Sequence, residues 1–188
     1  MDSWIVCVSG FSQKTSLPAA KAASTGADAL LLDLEDAVSA ARLPMARGLV
    51  LAYLKQHDRQ RQQVWVRINP LNQPMALVDL VAIMPGKPDG IVLPKPLNAH
   101  DVQQLDHYLQ ALEVHEGFAL HSTRILPVAT ELAGALFALD SYAGCSPRLA
   151  GLTWGAEDLA TAIGASTNKN EHGEFDDTFV LARSLCLL

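Results

Sequence analysis

The sequence has no cluster of lysine or arginine. Its 14 basic residues are outnumbered by 20 acidic ones, and a net charge of −6 excludes the phosphate-neutralising surface of a nucleic-acid-binding protein. Cysteine is scarce as well: Cys7, Cys145 and Cys186 are odd in number and widely separated, which excludes a disulfide framework and a zinc ligand set. The six histidines are scattered, and none stands at metal-ligand spacing from another. Nor does any apolar run approach the roughly 18 residues of a membrane span. With no basic region before the short apolar stretch from Trp4 to Val8, the reading is an unexported, cytoplasmic protein without a membrane partner.

What is present is core-forming material: 49% of the 188 residues are hydrophobic and only 18% charged, which suits one folded domain spanning 1–188. The chain is organised around Ala29-Leu30-Leu31-Leu32-Asp33-Leu34-Glu35-Asp36-Ala37, an apolar run that stops at three carboxylates. Such a run, preceded by Gly26, fits a strand buried in a parallel sheet better than an amphipathic helix. Three acids within four positions repel one another and call for a cation, an arginine or water.

The same design recurs. Strands are expected at Ile5 to Val8, Val64 to Pro70, where the proline stops it, Gly90 to Leu93, Arg124 to Glu131 and Leu149 to Trp154, besides the one above. Between them lie helix-length segments: Ser16 to Gly26, Ala40 to Lys55 capped by Ser39, Pro74 to Met84, Ala99 to His115 capped by Asn98, and Leu132 to Ala143. A polar loop over 168–177 and a helix from Thr178 to Leu188 complete the chain. Six βα units in succession predict a parallel sheet covered by helices.

Each strand ends in polar residues: Ser9 and Ser12, then Asp33, Glu35 and Asp36, then Arg67 with Asn69, then Lys95, Glu131, and finally Glu157 with Asp158. In a (β/α)₈ barrel these ends share one mouth, where active sites lie; a doubly wound open sheet would unite only those near its switch point. One acid at a strand end is usually a helix cap or a solvated loop residue, but six successive polar ends favour a shared mouth. There Glu131 and Asp158 offer two oxygen ligands to a hard divalent cation such as Mg²⁺, which would orient a substrate and polarise its carbonyl. Arg67 suits a carboxylate or a developing enolate oxygen, and Lys95 offers a point charge for the same task. Asp33 is open between a structural pairing, for instance with Arg47, and a catalytic role. Glu157, Asp36 and Asn69 are each open to a structural part.

Five stretches in order carry a resemblance: 26–38 (Gly-Ala-Asp-Ala-Leu-Leu-Leu-Asp-Leu-Glu-Asp-Ala-Val), Val66 to Pro70, Asp89 to Lys95, Pro127 to Glu131, and Gly155 to Leu159. Together they resemble the HpcH/HpaI aldolase and citrate lyase beta-subunit family over nearly the whole chain. The resemblance implies a TIM-type barrel of the phosphoenolpyruvate/pyruvate superfamily, with Mg²⁺ at Glu131 and Asp158. It further implies substrate contact at Arg67 and the pair Glu35 and Asp36 close to the metal's waters. The activity implied is cleavage of a citryl-, malyl- or citramalyl-type thioester, on coenzyme A or acyl carrier protein, to a 2-oxo acid and an acetyl thioester. The other reading is a non-catalytic or partner-completed binding subunit of the same fold. Two departures stand out: Val8-Ser9-Gly10-Phe11 replaces the family's Phe-Val-Pro-Gly, and Thr130-Glu131 inverts its usual Glu-Thr order. The expectation is also of a barrel cut short after about six βα units, whose unpaired edges favour a homo-oligomer, a trimer or hexamer.

Overall fold

The computed structural model describes the backbone of Ile5–Val8 and residues 26–188. The expected turn carrying Ser9 and Ser12 and the helix from Ser16 lie outside the described residues. The elements are β1 (Ile5–Val8), β2 (Ala29–Asp33), α1 (Leu43–Gln56), β3 (Gln63–Arg67), α2 (Met75–Ile83), β4 (Gly90–Leu93), α3 (Ala99–Glu116), β5 (Arg124–Pro127), α4 (Ala156–Ile163) and α5 (Asp177–Leu187). The strands form one parallel sheet in the order β1-β2-β3-β4-β5. A doubly wound sheet must reverse its order at a switch point, and none does here, so the sheet is an arc of a barrel. Among the described residues no helix is long and apolar enough to cross a membrane.

Because successive strand residues face opposite ways, the sheet divides its apolar side chains between two layers. Leu30, Leu32, Val64, Val66, Ile91, Leu93 and Ile125 point outward and pack with Leu43, Val50 and Leu54 of α1, Leu80 and Ile83 of α2, and Val102, Leu105 and Leu109 of α3. Ala29, Trp65, Val92 and Val128 point inward, with Leu31 and Leu126 against them. Inside, Trp65 lies across its strand neighbour Gly90, where an added Cβ would fall 2.2 Å from the indole ring. Glycine there is required by space.

The helices follow their local signals. Asn98 opens α3 with a reciprocal box: its side chain accepts from the His100 N–H at 2.9 Å, and the Asp101 carboxylate accepts from the Asn98 N–H. Gly117, at φ 72°, closes it. The start of α1 departs from expectation. Ser39 makes no side-chain cap; a short 3₁₀ turn, Ala40–Arg42, comes first, and the α-helix begins at Leu43 with Pro44 in its first turn. Proline lacks the N–H that an interior position must donate, so the helix starts around it.

Two other expectations are corrected. The segment after β5, Ala133–Tyr142, winds as a 3₁₀ helix and starts at Leu132 without a side-chain cap. Leu149 to Trp154 is not a regular sixth strand. It meets β5 through the single bridges Ile125↔Leu149 and Val128↔Thr153, whose registers differ by one residue. Pro127 has no N–H to donate at the centre of that ladder, and Gly151 bulges there at φ 156°. The chain nevertheless stays docked, with Ala150 N–H donating to the Ile125 carbonyl at 2.8 Å and Ala129 N–H to the Thr153 carbonyl at 2.8 Å.

Candidate active site

Asp33 and Arg67 end β2 and β3, stand opposite each other in the strand register, and face the interior. Their side chains meet in a fork: Arg67 Nε donates to Asp33 Oδ1 at 2.8 Å and Nη2 to Oδ2 at 2.7 Å. Asp33 also accepts from the Glu35 N–H at 3.0 Å, which turns the chain so that Glu35 points back into the mouth. Burial pushes the Asp33 carboxyl up, but the donors from Arg67 and the Glu35 N–H outweigh it and hold the group below its ordinary range. The open question about Asp33 is thus answered by Arg67. Arg47 pairs instead with Asp79, Nε to Oδ1 at 2.7 Å.

Glu35 is almost wholly buried and sits between two cations. Lys95 Nζ donates to its Oε1 at 2.5 Å, and Arg67 Nη1 lies 3.0 Å from Oε2 without hydrogen-bond alignment, so Oε2 is a buried oxygen with no donor. Burial raises its carboxyl above the ordinary value, despite both cations. Asp36, more exposed, has Lys95 Nζ at 3.7 Å and Arg67 Nη1 at 3.8 Å.

Lys95 connects these acids to the other side of the opening. Its backbone N–H donates to Glu131 Oε2 at 2.6 Å, and its ammonium lies 3.2 Å from Asp158 Oδ1. Glu131 is only 3% exposed, and burial, reinforced by the charges of Glu35 and Asp158, pushes its carboxyl up to about 8. Asp158 occupies the first turn of α4, a helix the sequence reading did not separate from the strand before it. Glu157, its neighbour, accepts from the Asn168 side chain at 2.8 Å.

Six of the candidates named from the sequence, Arg67, Glu35, Asp36, Lys95, Glu131 and Asp158, therefore belong to one cluster. All but Glu35 and Lys95 line an open cleft of about 510 Å³, floored by the inward layer of Trp65, Val92 and Leu126. Asn69 does not join it. Its amide donates to the Leu34 carbonyl at 3.1 Å and to Asp79 Oδ2 at 2.8 Å, which ties the β2 and β3 loops together beneath the mouth.

Sequence reasoning missed two supports of Glu131. Thr130 Oγ accepts from the Gly155 N–H at 3.0 Å, and a Cβ on Gly155 would stand 2.8 Å from Glu131 Cγ. The backbone of Gly155 is extended, so only space demands glycine. Gly155→Ala is expected to push Glu131 from its place and lower stability by about 1–3 kcal/mol, as overpacking does. Calorimetric melting of the variant checks this; an unchanged melting temperature would contradict it.

Among the described residues no group of three or more His, Cys, Asp or Glu is arranged to hold a metal by itself. Five carboxylates, Asp33, Glu35, Asp36, Glu131 and Asp158, nonetheless face two cations, and Glu35 Oε2 is left without a donor. A divalent ion that uses one or two carboxylates and keeps its remaining positions for water or substrate fits this donor set.

The profile of the HpcH/HpaI aldolase/citrate lyase family matches residues 9–184. The malyl-CoA/beta-methylmalyl-CoA/citramalyl-CoA lyase of Chloroflexus aurantiacus is 32% identical over 145 residues, 76% of this chain and 41% of that protein. The citrate lyase subunit beta of Haemophilus influenzae is 34% identical over 132 residues, 70% of this chain and 45% of the relative. The chain thus spans less than half the length of these curated relatives. Among solved structures, the CitE protein of Mycobacterium tuberculosis in complex with magnesium and acetoacetate superposes with a TM-score of 0.73 at 28% identity, covering 89% of this chain and 61% of that one. RipC from Yersinia pestis gives 0.66 at 31% identity, covering 88% and 67%. These likenesses agree with the barrel-type sheet, and with the family profile running through nearly every described element, the chain belongs to the HpcH/HpaI aldolase/citrate lyase family.

Proposed function

We propose that residues 1–188 form one barrel-type domain carrying the Mg²⁺ and substrate-acid site of a carbon–carbon lyase that acts on a 3-hydroxy acyl thioester. The observation that carries this reading is the meeting of Glu131 and Asp158 on one residue, Lys95, at the rim of a cleft that also holds Arg67. Glu131 and Asp158 would hold the ion, which supplies Lewis-acid polarisation of the substrate's oxygens and neutralises its carboxylate. That role agrees with the magnesium named in the Mycobacterium tuberculosis complexes.

The chain's own residues account for the rest. Asp33 occupies one edge of the Arg67 guanidinium, and Glu35 stands 3.0 Å from Nη1 without taking a hydrogen bond, leaving one hydrogen on Nη2 and those of Nη1 for substrate. Those donors suit the oxygen that becomes negative when an acetyl thioester leaves as its enolate. In the cleavage direction the substrate's 3-hydroxyl loses its proton, the C2–C3 bond breaks, and its electron pair passes to the thioester carbonyl. Glu35 and Asp36 would take that proton, Asp36 from the cleft wall and Glu35 from the buried position behind it. Protonation of the enolate carbon then completes a 2-oxo acid and an acetyl thioester. The carrier in this proposal is coenzyme A or acyl carrier protein.

The test is release of 2-oxo acid from malyl-, citramalyl- and citryl-thioesters in the presence of Mg²⁺. Asp158→Ala is expected to lower Mg²⁺ affinity at least about a hundredfold and to abolish release, since losing a mere partner of a ligand already costs 10–100-fold. Retained Mg²⁺ binding in a calorimetric titration would remove Asp158 from the ligand set. Mg²⁺ binding without any release by the parent chain would favour a binding subunit over an enzyme.

A further inference from the structure

Lys95 has a position that substrate binding does not explain. Its backbone sits in the left-handed region at φ 52°, uncommon for a residue with a side chain, between Pro94 and Pro96. Glycine or asparagine would relax that strain, so a reason for lysine is to be sought in what its side chain does. Lys95 is not among the residues that line the cleft with Arg67, Glu131 and Asp158. Its ammonium lies among three carboxylates, two from the loop after β2 and one from the first turn of α4, 2.5 Å from Glu35, 3.7 Å from Asp36 and 3.2 Å from Asp158, while the same residue's N–H holds Glu131 at 2.6 Å. One residue thus grips both carboxylates assigned to the ion.

Arg67 cannot substitute for it, because its fork is committed to Asp33 and its remaining nitrogen faces Glu35. The Asp158 carboxylate has the Lys95 ammonium as its ion-pair partner among the described residues. Lysine also suits a charge that must move: it is a point charge on a flexible stem, whereas arginine's fork locks a geometry. Its side chain is 24% exposed, so solvent is at hand when it withdraws.

Resting on the reading of Glu131 and Asp158 as metal ligands, we propose that Lys95 is a built-in counter-cation. Its ammonium stands in for the divalent ion, holds the carboxylates in their binding arrangement while no ion is present, and lets go of Asp158 when one arrives. Lys95 is then a positioning residue whose charge sets the metal affinity, and it weakens that affinity in exchange for a preformed site.

The experiment is calorimetric titration of Mg²⁺ without substrate, together with melting in chelator, for the parent chain, Lys95→Met and Lys95→Arg. Even in a water-like dielectric, a unit charge about 6 Å from a divalent ion weakens its binding about tenfold, so Lys95→Met is expected to bind Mg²⁺ about ten times more tightly or better. The same variant should melt lower than the parent in chelator, and saturating Mg²⁺ should restore most of the difference. Lys95→Arg, which keeps the charge, should stay near the parent's affinity. Equal or weaker Mg²⁺ binding by Lys95→Met, with the parent binding normally, overturns the proposal. If Lys95→Met is unfolded in chelator, recovery of the fold on adding Mg²⁺ supports it, and failure to recover overturns it. A parent chain that binds no Mg²⁺ would instead remove the metal reading itself, and this inference with it.

Discussion

Arg148→Met is expected to lower the free energy of unfolding by about 3–5 kcal/mol, the range seen when one partner of a buried ion pair is removed. Arg148 is wholly buried and spends its guanidinium on two carboxylates of α3. Nε donates to Asp106 at 2.6 Å, while Nη1 and Nη2 donate to the two oxygens of Glu113 at 2.7 Å each. Nη1 also reaches the Thr123 carbonyl at 3.0 Å, just before β5. Methionine fills similar volume but leaves Glu113, itself wholly buried, without its cation. Urea denaturation at neutral pH measures the loss; a change below about 1 kcal/mol would mean that the carboxylates find other partners or water.

Acid should act on the same cluster. Burial raises the carboxyls of Glu113 and Asp106, but the hydrogen bonds from Arg148, Ser146 and the Thr123 N–H outweigh it and hold both below their ordinary values. A carboxylate depressed by folding contributes stability above its unfolded pKa, about 4, and loses it as pH falls through the lower folded value. Glu131 works with the opposite sign: its raised carboxyl contributes in acid and loses that contribution as pH rises through about 8. The stability of the metal-free chain across pH 3–8 should therefore fall on the acid side through the Arg148 cluster, and Glu131→Gln should shrink the decline toward pH 8, leaving the part that the raised Glu35 carboxyl contributes.

The second large effect concerns Arg67. Arg67→Lys keeps the charge but cannot reproduce the fork on Asp33, so the remaining donors lose their aim. If Arg67 stabilises the enolate oxygen, turnover should fall by about 10²–10³-fold, the cost of losing one well-placed donor of this kind. Asp33→Asn keeps the shape of the pair and removes the charge that orients the guanidinium, so it should lower turnover with a smaller effect on the Michaelis constant. Steady-state release of 2-oxo acid decides. Turnover of Arg67→Lys within about threefold of the parent would place the oxyanion donor elsewhere.

The contrast between these two arginines shows where sequence reading stops. Arg67 was visible because it ends an apolar run in a strand whose period and length can be read locally, and the same regularity located Glu35, Asp36, Lys95, Glu131 and Asp158 at one rim. Arg148 offered no such sign. It stands in a turn, and its partners Glu113 and Asp106 lie 35 and 42 residues away on another element.

The amino-acid sequence by itself determined the alternation of strand and helix, the polar strand ends, and the cap at Asn98, because periodicity and capping act between residues a few positions apart. Only the tertiary structure decided which acid meets which cation. Asp33 takes Arg67 because the β2–β3 register sets them side by side, and Arg47 is left to Asp79 on α2. It also decided that Leu149 to Trp154 docks as a bulged, two-bridge segment, since whether a strand completes its ladder depends on the N–H groups its neighbour offers, and at Pro127 there is none.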